Sequence, residues 1–478
     1  MKASAVSAFS AVSKVLINLE PLVLIVAVPI LVLPASYLWR VERGLNAYDG
    51  LGDAALAWPS RLAFVALAAL AIPWLIRWAR DARLSRPTPL DAPIALYVAA
   101  MAVGVWASTD RAHSLTAWLG MLAGVALCYG VWNWGSVAPA RRLWPLVGLL
   151  MLGGAALSAL GYLQTDWQVA QQRGASFLAP VHAWLALLPT LGAKRLNPSV
   201  IGNTLLPLIP LAVVAIGATR SGLARLGLLA ALLAMAGYLV VTWSRGDLLA
   251  LGLTMLLAVL WSRRWLREAA VGLGIGVGAA LALALAFSPA TAAPLTDLAS
   301  DIYPSRMLIW TRALTIIGDH PFTGAGLDVF RPIARNSYPY FNPAYDQSEH
   351  AHSWPLQAGV NGGVAGLAAV VWLALAFYLT AENAGSAKKR GTHTSVSAAV
   401  AALRPGFVAG FTAFFIGNLY DNGTMSGARG ALVFWAFLGA ALVALMPPEG
   451  TAQRNSATGR TRRSLWRLPA AAACLLAG

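Results

Sequence analysis

The sequence predicts an all-α, polytopic membrane protein with about twelve transmembrane helices and one large extracytoplasmic loop. Three observations predict it. Only 11% of the 478 residues are charged, against about 25% in a soluble domain. The mean hydropathy is +0.65, and apolar runs of bilayer-crossing length recur along the chain. One long polar stretch, 288–362, interrupts them.

The apolar runs are 16–38, 60–76, 89–107, 114–134, 143–162, 199–218, 224–241, 246–261, 269–287, 363–381, 402–419 and 428–446. The first is too long for the apolar core of a signal peptide and has no clear cleavage site, so it reads as a retained span. The chain divides into 1–287 (nine spans), an extracytoplasmic loop 288–362, three further spans in 363–446, and a basic tail 447–478.

Charge sets the expected orientation. With the N-terminus inside, the inside loops carry Arg77, Arg80, Arg83 and Arg86, then Arg141 and Arg142, then Arg220 and Arg225, then Arg263, Arg264 and Arg267, then Lys388, Lys389 and Arg390. Outside segments are nearly balanced. Retention of basic loops on the cytoplasmic side explains this pattern. It implies an even number of spans, both termini cytoplasmic, and the 288–362 loop on the periplasmic or extracellular face. The same bias accounts for the net charge of +16, so nucleic acid is not the expected partner. The segment 175–191 is apolar but broken by Pro180 and Pro189 and contains His182. It reads as an interfacial or re-entrant piece, since a span there would flip every later basic loop outward. The two cysteines, Cys128 and Cys474, both lie in apolar sequence and offer no disulfide framework.

Several charged residues call for a reason. Arg245 stands in Thr242-Trp-Ser-Arg-Gly246, at the outer turn between two spans. An ion there is costly unless solvated, paired (Asp247 is near in sequence) or bound to an anion in an outer cavity. In the loop, Met307, Trp310, Ala313, Leu314 and Ile317 have helical spacing, and Gly324-Ala-Gly326 reads as the turn that ends the helix. Arg306 near the helix start does not complement the helix dipole, which invites an anion. Arg312 reads as a surface or pairing residue. Further on, Glu349, His350 and His352 lie at the lip of the next span. They are conceivable zinc ligands, but no His-Glu-x-x-His sequence is present and His-x-His is a weak metal signal. The expected site therefore holds no metal and no cofactor. His352 is the preferred catalytic or ligand-contacting histidine, because imidazole exchanges protons near neutral pH.

These segments together resemble the bacterial O-antigen ligase and O-antigen polymerase superfamily, with its Wzy-type C-terminal domain. Thr242-Trp-Ser-Arg-Gly246 is similar to the family's Ser-Arg-Gly turn. Arg306 to Phe330 resembles its Arg…Trp…His-Pro…Gly-x-Gly…Phe pattern. His352-Ser-Trp-Pro-Leu-Gln357 followed by Gly362-Gly-Val-Ala-Gly366 resembles its histidine motif, and Asn197-Pro-Ser199 its Asn-Pro-Asn segment. Ser353 and Ser199 replace two asparagines of the pattern. The resemblance implies a fold like the membrane-embedded C-type glycosyltransferases. It also implies metal-independent, inverting transfer of a glycan from undecaprenyl diphosphate at the outer face of the cytoplasmic membrane.

The implied partners are that lipid-linked donor, a glycan or lipid-linked glycan acceptor, and membrane lipid. A sugar of lipid A–core is the favoured acceptor. A polymerase joining lipid-linked repeats and a protein O-oligosaccharyltransferase are the alternatives. Arg245 and Arg306 match the family's functional arginines and are assigned to the diphosphate, and His352 to acceptor activation. Asp346 and Glu349 are candidates to orient His352. Arg331, Arg335, Tyr338 and His350 are candidate glycan contacts. A transporter would need polar residues along the middle of several spans, and few are seen.

Overall fold

The computed structural model describes residues 72–79, 82–165, 167, 178–188, 198–261, 304–339, 348, 350–389, 398–421 and 428–446. Every regular element among them is helical. They are α1 (Asp91–Ala107), α2 (Arg111–Gly135), α3 (Pro139–Gln164), α4 (Ala179–Leu185), α5 (Pro198–Leu205), α6 (Leu208–Ala218) and α7 (Gly222–Val241). There follow α8 (Arg245–Trp261), α9 (Pro304–Asp319), α10 (Phe330–Ser337), α11 (Trp354–Lys389), α12 (Ala398–Tyr420) and α13 (Ala428–Leu445).

Six helices among the described residues are long and apolar enough to cross a bilayer: α2, α3, Ile201–Ala218, α7, α11 and α12. This is fewer than the twelve expected. Asp91–Ala107 and Ala431–Leu445 are apolar but shorter. The runs 16–38 and 269–287, and most of 60–76, lie outside the described residues. The chain is a multi-pass membrane protein, all-α among the described residues. Lipid exposure accounts for its surface: Leu152, Leu233 and Leu375 are 67%, 64% and 57% exposed on apolar helices, where water would penalise them. Within 175–191, the helix α4 has seven residues. At about 1.5 Å per residue it covers only a third of a hydrocarbon core.

The bundle is built from pairs. α13 lies along α2, α11 along α1, α6 along α12, and α7 along α3, with α8 against α12. Large aromatic side chains fill the junction of α11, α12 and α13. Phe377 stacks on Phe411 at 3.9 Å, and Phe414 on Phe434 at 4.3 Å. Trp354 packs edge-on to Phe414 and Phe434. Glycines allow the close approaches. A Cβ on Gly124 would strike the Trp435 ring, and one on Gly439 would lie 2.5 Å from the Cys128 carbonyl.

The polar loop is not a separate body. α9 packs on α11, and its buried face is Ile309, Ala313, Ile316 and Ile317. Of the apolar face expected from spacing, Ala313 and Ile317 are buried, whereas Met307, Trp310 and Leu314 are only partly covered. Arg312, expected at the surface or in a pair, is 5% exposed. It lies on the same helical face as Ile309 and Ile316, so packing of α9 carries it inward.

α11 begins at Trp354, inside the stretch read as loop, and is broken at Gly362 and Gly363. The break sits at the expected start of the span. It frees backbone groups that a membrane environment leaves expensive, and the loop satisfies them. Ala325 donates its N–H to the Val360 carbonyl at 2.8 Å, and Val364 donates to the Pro321 carbonyl at 2.8 Å. Gly363 has φ +67, and an added Cβ would overlap the Pro321 carbonyl. The Gly363→Ala protein is therefore expected to lose about 1–3 kcal/mol from this backbone conformation alone (φ +67, ψ −162), which is essentially reserved for glycine. Its thermal unfolding temperature in detergent falls accordingly, while Gly217→Ala, a helical position that meets nothing within 4 Å, does not lower it.

Candidate functional site

The turn Thr242–Ser244 joins α7 to α8 and presents Arg245. Thr242 turns its hydroxyl back onto the Tyr238 carbonyl at 2.9 Å. Trp243 takes φ +49, an uncommon conformation for a bulky side chain. Ser244 accepts the Leu248 N–H through its carbonyl and donates its hydroxyl to Asp247 at 2.6 Å. Asp247 is 3% exposed. It also accepts a long hydrogen bond of 3.5 Å from Asn203, whose own carbonyl oxygen accepts from Asn418 at 2.8 Å. A buried polar chain thus runs from the Arg245 turn, through α5, to the end of α12. It holds the turn in register with α12, because each member would be costly if left without its partner.

From behind, His182 of α4 braces the same turn. It is 1% exposed, stacks on Trp167 at 5.8 Å, and donates from Nε2 to the Val241 carbonyl at 2.7 Å. Trp167 in turn donates to the Tyr162 carbonyl at 3.0 Å. The segment expected at the interface therefore serves as a strut for the arginine turn.

The end of α12 is where the site residues meet. Arg306 of α9 places its guanidinium 5.3 Å above the Tyr420 ring. Gly246, next to Arg245, lies flat against the same ring; a Cβ there would come 2.6 Å from Tyr420 Cε1. The following residue, Asp421, accepts from His352 Nδ1 at 3.2 Å. Asp421 also lies within electrostatic reach of Asp247. Two consecutive residues thus touch Arg306, the Arg245 turn and His352.

His352 is held in an unusual backbone state, φ +48. Its N–H donates to His350 Nδ1 at 3.2 Å, and the two rings lie 4.2 Å apart. Ala351 donates its N–H to Gln357 Oε1 at 2.7 Å, and Gln357 donates onward to Asn361 at 2.7 Å. Asn361 is the residue before the break in α11, and it accepts the Asp328 N–H at 3.4 Å. The Gln357 and glycine positions of the histidine motif therefore have a physical role: they tie the His352 segment to the helix break.

The other expected contacts fare unequally. Arg331 and Arg335 lie on α10, which packs against α11, and Arg335 is exposed. Tyr338 donates its hydroxyl to Asp319 at 2.7 Å. Partial burial, and then the Asp319 carboxylate, push its phenol up to about 12. It braces α10 against the end of α9. Asp346 and Glu349 lie outside the described residues; the carboxylate found on His352 is Asp421. Tyr420 and Asp421 were missed by sequence reading. The one available signal was an acid at the end of an apolar run, on the same membrane face as Arg245. His350, His352 and Asp421 also form the one group of possible metal ligands among the described residues.

The family model described as O-antigen ligase, Wzy_C, matches residues 208–371. The matched segment runs from α6 into α11. It includes Arg245, Arg306 and His352 and stops short of Tyr420 and Asp421. A search of curated proteins gave no match.

Two substitutions test the bracing geometry. Gly246→Ala forces the Tyr420 ring to move and is expected to lower activity about 10-fold or more, the scale on which a small misplacement near a reacting centre acts. His182→Phe keeps the stack on Trp167 but removes the donor to Val241, and is expected to lower turnover with His182→Gln partly restoring it. Transfer rates measured at matched protein abundance check both.

Proposed function

We propose that the protein is a glycosyltransferase that moves a glycan from undecaprenyl diphosphate to an acceptor sugar hydroxyl at the outer face of the cytoplasmic membrane. The observation that carries this reading is the convergence on Tyr420-Asp421 of the Arg245 turn, Arg306 and His352. The family match over 208–371 supports a role in glycan ligation or polymerisation.

The chemistry follows from the charges. The leaving group is a lipid diphosphate, and negative charge grows on it as the anomeric C–O bond breaks. Two guanidiniums suit this task, since each can hold phosphate oxygens in a bidentate way and stays charged throughout. Held by α8 and α9 rather than by free chain, they are preorganised for the charge that develops. The acceptor oxygen forms the new bond to the anomeric carbon from the opposite face, which inverts configuration. Its proton passes to His352 Nε2. Nδ1–H donates to Asp421, which fixes the tautomer and stabilises the imidazolium. Asp421 is thus a positioning residue for His352. Arg331 and Arg335 on α10 are proposed to meet the glycan rather than the diphosphate.

A ligase acceptor, a sugar of lipid A–core, is the form proposed. A polymerase and a protein O-oligosaccharyltransferase use the same donor and the same leaving group, so the acceptor alone separates them. Purified protein is given the lipid-linked donor with each acceptor class in turn. Capping of a separate lipid acceptor supports the ligase, lengthening of the lipid-linked glycan the polymerase, and labelling of Ser or Thr the protein transferase. In whichever reaction is active, Arg245→Ala, Arg306→Ala and His352→Ala are each expected to lose about 100-fold or more in turnover. Donor binding should weaken for the arginines and persist for His352→Ala. Full activity in all three sinks the mechanism.

A further inference from the structure

We propose that His350, His352 and Asp421 bind a divalent transition-metal ion of the zinc type, and that its occupancy switches transfer off. One ligand atom from each residue lies within 4.8 Å of the others. Zinc bonds of about 2.0–2.2 Å in a tetrahedral site place neighbouring ligand atoms about 3.3–3.5 Å apart. His352 Nδ1 and Asp421 Oδ1, at 3.2 Å, already have that spacing. His350 completes the set: its ligand atom lies within the same 4.8 Å, and its ring stands 4.2 Å from that of His352.

The donor set selects the metal. Two imidazoles and one carboxylate suit zinc, cobalt or copper, whereas magnesium and calcium take oxygen ligands. The side chains of His352 and Asp421 are 23% and 16% exposed, so an ion can reach them and still lose most of its water. Three protein ligands leave a fourth position open. The local charge is mixed. Asp421, with Asp247 in electrostatic reach, favours a dication. Arg306 over Tyr420 and the Arg245 turn oppose one, so moderate affinity is expected.

The ion bridges two elements: the segment that leads into α11 and the end of α12, residues 69 positions apart. A metal on His352 Nδ1 takes the place of the proton shared with Asp421 and leaves the imidazole proton on Nε2. With no lone pair at Nε2, the imidazole no longer takes the acceptor proton. This inhibitory step rests on the proposed function; the binding itself does not.

The test uses the full-length protein in detergent. Cobalt is titrated in, and visible absorption is read as the signature of four-coordinate binding. Zinc is titrated in a separate transfer assay. Wild-type protein is expected to take up one equivalent of cobalt with saturating visible bands. Zinc is expected to inhibit transfer over a similar concentration range, with reversal by EDTA. His350→Gln and Asp421→Asn should each weaken cobalt binding at least 10-fold, with thermal unfolding of metal-free protein confirming that both fold. Each variant's zinc inhibition is scored against its own metal-free rate and should shift by the same factor. Absence of saturable bands, or equal binding by both variants and wild type, overturns the site. Intact cobalt binding with transfer insensitive to zinc overturns the switch. Intact binding in a protein whose Arg245, Arg306 and His352 variants are fully active refutes the proposed function and leaves the metal site standing.

Discussion

The break in α11 is the constraint on which the rest depends. A helix that opens at Gly362 and Gly363 leaves a carbonyl and an N–H without their usual partners, and lipid offers none. The loop supplies both, through Ala325 to Val360 and Pro321 to Val364. The exchange sews α9 and the Gly324–Gly326 turn into the membrane helix. From there the geometry propagates in both directions. α9 carries Arg306, and the first turn of α11 carries the His352 segment through Gln357 and Asn361. A polar loop that looks like an insertion is thereby part of the bundle's own hydrogen-bond network.

A second constraint is the cost of burying polar groups. Asn203, Asp247 and Asn418 are each under 4% exposed, in the interior of an apolar bundle. Such groups are held where they satisfy one another, as Asn418 Nδ2 does with Asn203, although Asn418 Oδ1 has no hydrogen-bond partner among the described residues. Their chain links α5, α8 and α12, so the arginine turn and the Tyr420-Asp421 pair cannot shift independently. Among the described residues four other than glycine have left-handed backbone: Ala82, Trp243, Asp328 and His352. Trp243 lies in the arginine turn, and Asp328 and His352 are tied to the break in α11 through Asn361 and Gln357. Backbone strain of this kind survives where surrounding structure over-determines it, and it gathers at functional sites. The His113–Asp328 pair at 3.1 Å and the Ser114 hydroxyl on the Leu327 carbonyl at 2.6 Å supply that surrounding hold for Asp328.

Expectation and structure agree unevenly, for physical reasons. Bilayer-length apolar runs identify α2, α3, α7 and α12 nearly to their ends, because hydropathy reports transfer into lipid directly. It is less reliable for α11, whose first turns carry Pro355, Gln357 and Asn361 and are packed on protein, so they read as loop. Helical spacing finds α9 but places its buried face imperfectly. Burial there depends on where α11 and α10 lie, and Arg312 is carried inside with Ile309 and Ile316. His182 is visible as an oddity in an apolar segment; its role as a brace needs the position of Val241.

The sequence by itself determined the class of the protein, the short basic loops, and three functional candidates through local motifs: Arg245, Arg306 and His352. Those are properties of contiguous residues, set by transfer free energy and by short-range turn chemistry. Only the tertiary structure decided that Tyr420 and Asp421 join them. His352 and Asp421 are separated by 69 positions, and Arg306 reaches the Tyr420 ring from another helix. No periodicity or spacing encodes a contact of that range. It arises when α8, α9, α11 and α12 pack and their polar ends are forced to satisfy one another.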